Sequence, residues 1–122
     1  MYEVMVESCF SAAHQLREYN GKCENIHGHN WKVQVWVHGN TLQPNGILVD
    51  FYELKQMLDL QMKKLDHSNL NDLDIFKEQN PTAENIARYL HSELCSHFQQ
   101  KGLKVHKVAV WESDKTTSSY FE

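Results

Sequence analysis

His27 and His29 stand two residues apart in a run that reads Cys23, Glu24, Asn25, Ile26, His27, Gly28, His29, with strand-like sequence following. Side chains at i and i+2 of a strand share one face, so both imidazoles can be aimed at one point. Imidazole is a ligand for zinc, and a zinc ion held by three protein ligands keeps a fourth position open for chemistry. His14 is the best candidate for the third ligand. Phe10, Ser11, Ala12, Ala13 and His14 follow directly on a first strand, and a hairpin would lay the end of that strand beside the start of the next. Cys23 has three readings on spacing alone. It can be a fourth ligand closing a structural site. It can be a base or nucleophile whose pKa is lowered by a nearby cation. Or it can be a small buried residue, as expected of Cys9 and Cys95.

Asp66 and His67 lie in a polar turn, Asp66 to Asp72. A carboxylate beside a histidine can orient the imidazole and raise its basicity. Adjacency in the chain does not by itself make the two touch, and a solvated loop is the simpler reading. Glu112 ends an apolar strand beside Trp111. A carboxylate there can accept hydrogen bonds from a heterocycle carrying amino and ring N–H donors, although strand ends often carry charge without such a role. His38, His91, His97 and His106 have no motif around them and are expected to be surface or structural.

The elements that must position these groups follow from periodicity. Residues Tyr2 to Phe10 alternate as a strand, and Lys32 to Val37 alternate again, with Val33, Val35 and Val37 opposing Lys32, Gln34 and Trp36. Turn residues at Gly39-Asn40 and Pro44-Asn45-Gly46 lead to Asp50, an expected helix N-cap with Glu53 reaching back to it. Leu54, Leu58, Met62 and Leu65 recur at helical spacing and predict a helix over Phe51 to Lys64. A second helix opens at Asn80-Pro81-Thr82, carries Ile86, Leu90, Leu94 and Phe98, and stops at Gly102. Val105, Val108 and Val110 mark a third strand ending near Glu112, and Ser118 to Phe121 a fourth. The order ββααββ predicts an α+β single domain over 1–122, a four-stranded antiparallel sheet with two helices on one face.

With 122 residues, a formal charge of −4 and a pI near 6.0, the chain has no basic footprint for nucleic acid. No segment approaches the roughly 20 apolar residues of a membrane span. The three cysteines are an odd, irregularly spaced set, which fits a reducing cytoplasm and not a disulfide scaffold.

Taken together, five blocks resemble the 6-pyruvoyltetrahydropterin synthase superfamily. They are Phe10 to His14; Cys23 with His27, Gly28, His29 and Asn30; Leu65 to Leu70; Asn80 to Asn85; and Trp111 to Ser113. The resemblance spans nearly the whole chain in order. It implies the tunnelling fold, in which three subunits close their sheets into a barrel and two trimers usually stack, with active sites between subunits. It implies one zinc per subunit held by His14, His27 and His29. Cys23 is implied as the catalytic thiol that removes a proton from the substrate side chain, His67 as its proton-handling partner, Asp66 as the orienter of His67, and Glu112 as the anchor of the pterin ring. The implied substrate is 7,8-dihydroneopterin triphosphate, a small molecule, with no membrane or nucleic-acid partner. Pyruvoyl-forming members have a longer interval between the cysteine and His-Gly-His, whereas three residues separate Cys23 from His27 here. That resembles the branch making 6-carboxytetrahydropterin, with release of acetaldehyde and triphosphate, toward queuosine. A pyruvoyl-forming enzyme of the tetrahydrobiopterin pathway and a non-catalytic zinc- or pterin-binding module are the alternatives. Arg17, Lys22, Lys32 and Lys115 are available to a triphosphate, and the sequence does not choose among them.

Overall fold

Alternation in the first strand continues past Phe10, and so does the strand. In the computed structural model, which describes residues 1–18 and 24–122, β1 runs Tyr2–His14 and pairs antiparallel with β2, His27–Gly39. Even-numbered residues of β1 and odd-numbered residues of β2 turn to the same, buried face: Val6, Phe10, Ala12 and His14 meet Trp31, Val33, Val35 and Val37. The strands overrun their expected ends because the inward positions remain apolar or aromatic through Ala12 and Trp31. The histidines then continue the same alternation.

β2 pairs antiparallel with β4, Lys104–Ser113, and β4 with β5, Thr116–Phe121. Helix α1, Phe51–Leu65, covers β1, while α2, Ala83–Phe98, covers β4 and β5. The predicted stripes are the buried ones: Leu54, Leu58, Met62 and Leu65 on α1, and Ile86, Leu90, Leu94 and Phe98 on α2. Asp50 does cap α1, its carboxylate accepting the Tyr52 N–H at 2.8 Å. Glu53 does not reach back to complete a capping box. Its carboxylate pairs instead with Lys101 in the 3-10 turn after α2, tying the two helix ends together. Gly102 adopts φ 69°, the left-handed conformation glycine takes without a Cβ penalty, and the chain turns there into β4.

Among the described residues the sheet has five strands, not four, in the order β3-β1-β2-β4-β5. The extra strand, β3, is the pair Ser68–Asn69, read from sequence as part of a polar turn. It runs parallel to β1, with Ala12 opposite Ser68 and Ala13 opposite Asn69. Two residues carry no detectable alternation, and their pairing depends on what Asp66 and His67 do just before them. Among the described residues, no helix is long and apolar enough to cross a membrane.

Leu58 is fully buried on α1, whereas Leu60 of the same helix is half-exposed. Leu58→Ala is expected to lower stability by about 2–5 kcal/mol, and Leu60→Ala to stay within about 0.5 kcal/mol. Urea unfolding of both variants reads the contrast.

Candidate metal centre and active site

The register of the hairpin puts His14 directly opposite His27, with His29 opposite Ala12. All three imidazoles lie on the helix-covered face at one end of the sheet. Trp31, fully buried, is the floor: its ring lies edge-on to His14 at 4.9 Å and to His29 at 5.1 Å, stacks on Phe10, and donates its N–H to the Ala12 carbonyl. The expected convergence of His14, His27 and His29 is thus present.

Hydrogen bonds behind the rings set their tautomers. His14 Nδ1 donates to the Pro81 carbonyl at 2.8 Å, and His27 Nδ1 donates to the Asn25 carbonyl at 2.8 Å. In its neutral form each ring presents a lone pair at Nε2, and those two nitrogens face each other at 3.1 Å. Two lone pairs at that distance repel unless a proton or a cation lies between them. His29 adds a third nitrogen. Its Nε2 is buried without a hydrogen bond, although Glu112 Oε1 lies 2.8 Å away off the line of the ring N–H. Burial, with His14 and His27 adding to it against the pull of Glu112, lowers the His29 pKa and keeps the ring neutral, the form that binds metals. His14, His27, His29 and Glu112 bring ligand atoms within 4.8 Å of one another, a group that could hold a metal ion. Backbone carbonyls behind ligating histidines are the usual outer support of such centres.

The support of His14 is built from asparagine amides. Asn71 accepts from the Gln15 N–H and donates to the Gln15 carbonyl; Asn80 makes the same two-way pair with Arg17. These amides imitate a neighbouring strand for the chain leaving β1. Asn85 then holds the Asn80 carbonyl, and Thr82 caps α2. The Asn80-Pro81-Thr82 segment, the start of the second helix and part of a resemblance block, also presents the Pro81 carbonyl to His14.

A cleft of about 300 Å³ opens beside the cluster, lined by His14, Leu16, Glu24, Thr82, Glu84, Glu112 and Thr116 to Ser118. Ser118 donates to Glu84 at 2.5 Å, and that bond, with Thr82 helping, holds the Glu84 carboxyl below its ordinary range. Three carboxylates in one cleft favour a ligand rich in N–H donors. Glu112 lies here too, with one oxygen turned to the histidines. Glu24 and Glu84 were missed: the first reads as spacer between Cys23 and His27, the second as an ordinary first-turn acid of a helix.

Asp66 and His67 do touch: His67 Nδ1 is 2.8 Å from Asp66 Oδ2. The other Asp66 oxygen accepts the Ser11 N–H at 2.7 Å, and the His67 N–H donates to the Ser11 carbonyl at 2.6 Å. This two-way clasp starts the β1–β3 pairing and holds His67 at φ 53°, a conformation uncommon outside glycine. The Ser11 N–H first, and His67 second, hold the Asp66 carboxyl below the usual carboxylate range. The His67 side chain is 84% exposed and borders a groove that Ala12 and His29 also line, but whose Ser11, Ala13, Gly28 and Asn30 belong to the sheet face opposite His14 and His27. One chain therefore does not close the dyad over the cluster.

Cys23 and Lys22 lie outside the described residues. Of the other cations, Arg17 is committed, donating to the carbonyls of Phe76 and Gln79. Lys32 stands 4.5 Å over the Trp111 ring on the open face of the sheet.

Asn80→Ala removes the pair that places the Pro81 carbonyl. It is expected to weaken metal affinity about 10–100-fold while the protein remains folded, as read by competition with a chromogenic chelator. Because the Asp66 pKa is lowered on folding, its charge contributes stability that is complete above the unfolded pKa of about 3.9 and is lost as pH falls through the lower folded value. Urea midpoints of the wild type and Asp66→Asn should therefore differ by a constant amount near neutrality and converge in acid.

Residues 3–122 match the family model described as 6-pyruvoyl tetrahydropterin synthase. A Synechocystis protein named 6-carboxy-5,6,7,8-tetrahydropterin synthase is 35% identical, the match covering 99% of this chain and 94% of that one. The human 6-pyruvoyl tetrahydrobiopterin synthase is 38% identical over 91% of this chain and 85% of its own. The solved Caenorhabditis elegans 6-pyruvoyl tetrahydropterin synthase superposes with a TM-score of 0.82 at 32% identity, covering 100% of this chain and 97% of that one. A family match over nearly every residue, with relatives and a solved structure alike in sequence and in fold, shows that this chain belongs to the 6-pyruvoyl tetrahydropterin synthase family.

Proposed function

We propose that the chain is a zinc-dependent lyase that converts 7,8-dihydroneopterin triphosphate to 6-carboxy-5,6,7,8-tetrahydropterin, with release of acetaldehyde and triphosphate, as a cytoplasmic step toward queuosine. The observation that carries the metal part is the pair of fixed tautomers, which turns two lone pairs toward each other at 3.1 Å beside an orphaned third nitrogen. Three imidazole nitrogens suit zinc over magnesium or calcium, which prefer oxygen. Zinc bound there supplies Lewis acidity to side-chain oxygens of the substrate.

The protein's own groups would do the rest. Glu112, with Glu84 nearby in the cleft, accepts hydrogen bonds from the amino and ring N–H groups of the pterin. Cys23 removes a proton from the substrate side chain. Its neighbour in sequence, Glu24, lines the cleft. His67 handles the proton in turn, its imidazole held by Asp66.

Within one chain His67 borders the other face of the hairpin, and strand directions suggest how it could serve a cleft. β5 runs opposite to β1, and β5 starts at the sheet end where β1 finishes. The outer edge of β5 is unpaired among the described residues, and that of β1 is paired only at Ala12 and Ala13. Antiparallel pairing of β5 in one copy with β1 in the next would carry His67 toward the Thr116-to-Ser118 wall of a neighbouring cleft. Repeated around a ring, it gives the trimeric barrel of the tunnelling fold, alone or stacked as a hexamer. The pyruvoyl-forming reaction is the second reading, favoured by the human relative's identity, which is no lower than that of the carboxy-forming one.

Incubation of the zinc-loaded protein with dihydroneopterin triphosphate and mass analysis of the products tests both readings. Acetaldehyde released in step with substrate loss is expected; a pyruvoyl product without acetaldehyde overturns the carboxy-forming assignment. Co-refolding inactive His14→Ala with inactive His67→Ala should restore activity in mixed oligomers, and failure to restore it overturns the shared site.

A further inference from the structure

Hydrogen bonds at the outer edge of β1 show which of its backbone groups face away from β2. Ser11 gives its N–H to Asp66 and its carbonyl to the His67 N–H, and the Glu7 carbonyl takes the Lys55 ammonium. In an antiparallel strand, residues whose N–H and C=O both point away from the partner recur at every second position. Glu3, Met5, Glu7, Cys9 and Ser11 are therefore the outward set of β1. On β5, the Glu122 N–H bonds to the His106 carbonyl of β4, so Ser118 and Tyr120 face β4 while Thr117, Ser119 and Phe121 face outward. Tyr120 packs on His91 of α2, which turns the side chains of Thr117, Ser119 and Phe121 to the sheet face that the helices leave open. The outward residues of β1 also stand on that face.

Two antiparallel edges whose outward residues share one face can join into one continuous sheet, and open edges are what folded chains tend to close. Few registers are available. Thr117 cannot pair with Ser11, because Asp66 and His67 already hold both Ser11 groups. Thr117 opposite Cys9 fills the edge up to that clasp and sets Ser119 against Glu7 and Phe121 against Met5. In one chain Phe121 is 62% and Met5 41% exposed, and directly opposed they cover each other. Thr117 opposite Glu7 would instead set Phe121 against Glu3 and leave the Cys9 groups bare. The bond from Lys55 to the Glu7 carbonyl is an exposed one, and the Ser119 N–H can replace it.

We propose that β5 of one copy pairs with β1 of the next in the register that sets Thr117 opposite Cys9, with the clasp of Asp66 and His67 on Ser11 as its stop. The interface rests on the shared-site reading above and gives that reading its surface. The clasp that holds His67 also seats the neighbouring β5, so His67 lies beside the start of that strand, where Thr116 lines the neighbour's cleft.

Cys9, expected from sequence to be buried, is exposed because it stands on the open-face side of β1, and it is a native reporter of the register. Directly opposed outward residues lie about 5.5 Å apart at Cα, within disulfide reach, and diagonal ones about 7–8 Å, beyond it. Full-length Lys115→Cys, Thr117→Cys and Ser119→Cys variants are oxidised and run without reductant, and linked bands are mapped by peptide mass. Thr117→Cys is expected to link to Cys9 and close a covalent trimer, at least about tenfold more than either other variant, and adding Cys9→Ser should abolish the link. In the wild type, the N–H groups of Met5, Glu7 and Cys9 are expected to exchange with deuterium at least about a hundredfold more slowly than that of Glu3. That pattern decides alone if the variants do not fold. A chain that light scattering finds monomeric overturns this interface and the shared site together. An oligomer that links through Lys115→Cys or Ser119→Cys, that links through none of the three, or whose Cys9 N–H exchanges as fast as that of Glu3 overturns the register and leaves the shared site to the co-refolding experiment.

Discussion

The pairing of β1 with β2 in a single register is the constraint on which the rest depends. A slip of one residue would turn every side chain of one strand to the other face. Val6 and Phe10 would leave the core, and His14 would leave His27. The apolar residues that hold the register and the histidines that use it lie on the same alternation, so the core and the metal group are specified together. Trp31 joins the two. It closes the apolar layer below and bounds the histidines above, giving them a dry floor, and burial there lowers the pKa of His29.

Electrostatics at the centre follow from hydrogen bonds made behind it. Two carbonyls take the Nδ1 protons of His14 and His27, and the unfavourable approach of the two Nε2 lone pairs results. Sheet packing supplies the force that holds them together. Such local conflict is what a binding site for a cation looks like before the cation is counted. The carboxylates of the adjoining cleft add negative potential, which draws cations in and leaves the anionic end of a phosphorylated ligand in need of a cation from elsewhere.

Much of this was legible in the sequence. Both helices, their buried stripes and the four longer strands follow from periodicity, because each buries a repeating apolar face. The three histidines could be grouped because a hairpin brings a strand end back to a strand start. What was not legible came from contacts between segments far apart in the chain. β3 exists because Asp66 and His67 clasp Ser11, and no local pattern announces a strand of two residues. Glu84 looks like any acid in a first helical turn until Ser118 is seen beside it. Glu53 had a local partner in prospect and took a distant one, Lys101. The resemblance between sequence blocks singled out Asp66, His67 and Glu112 where spacing alone was weak, but said nothing of the faces they occupy.

The amide pairs of Asn71 and Asn80 separate two properties that are often taken as one. Each bond in such a part-buried pair contributes about 0.5–1.5 kcal/mol net, a small share of the roughly 5–15 kcal/mol by which a domain is stable. The same bonds aim the carbonyl that orients His14. A chain altered there can melt at nearly the native temperature and elute at the native volume while its centre is out of tune. Foldedness and competence are thus set by different residues in this protein, and an assay of the first is nearly blind to the second.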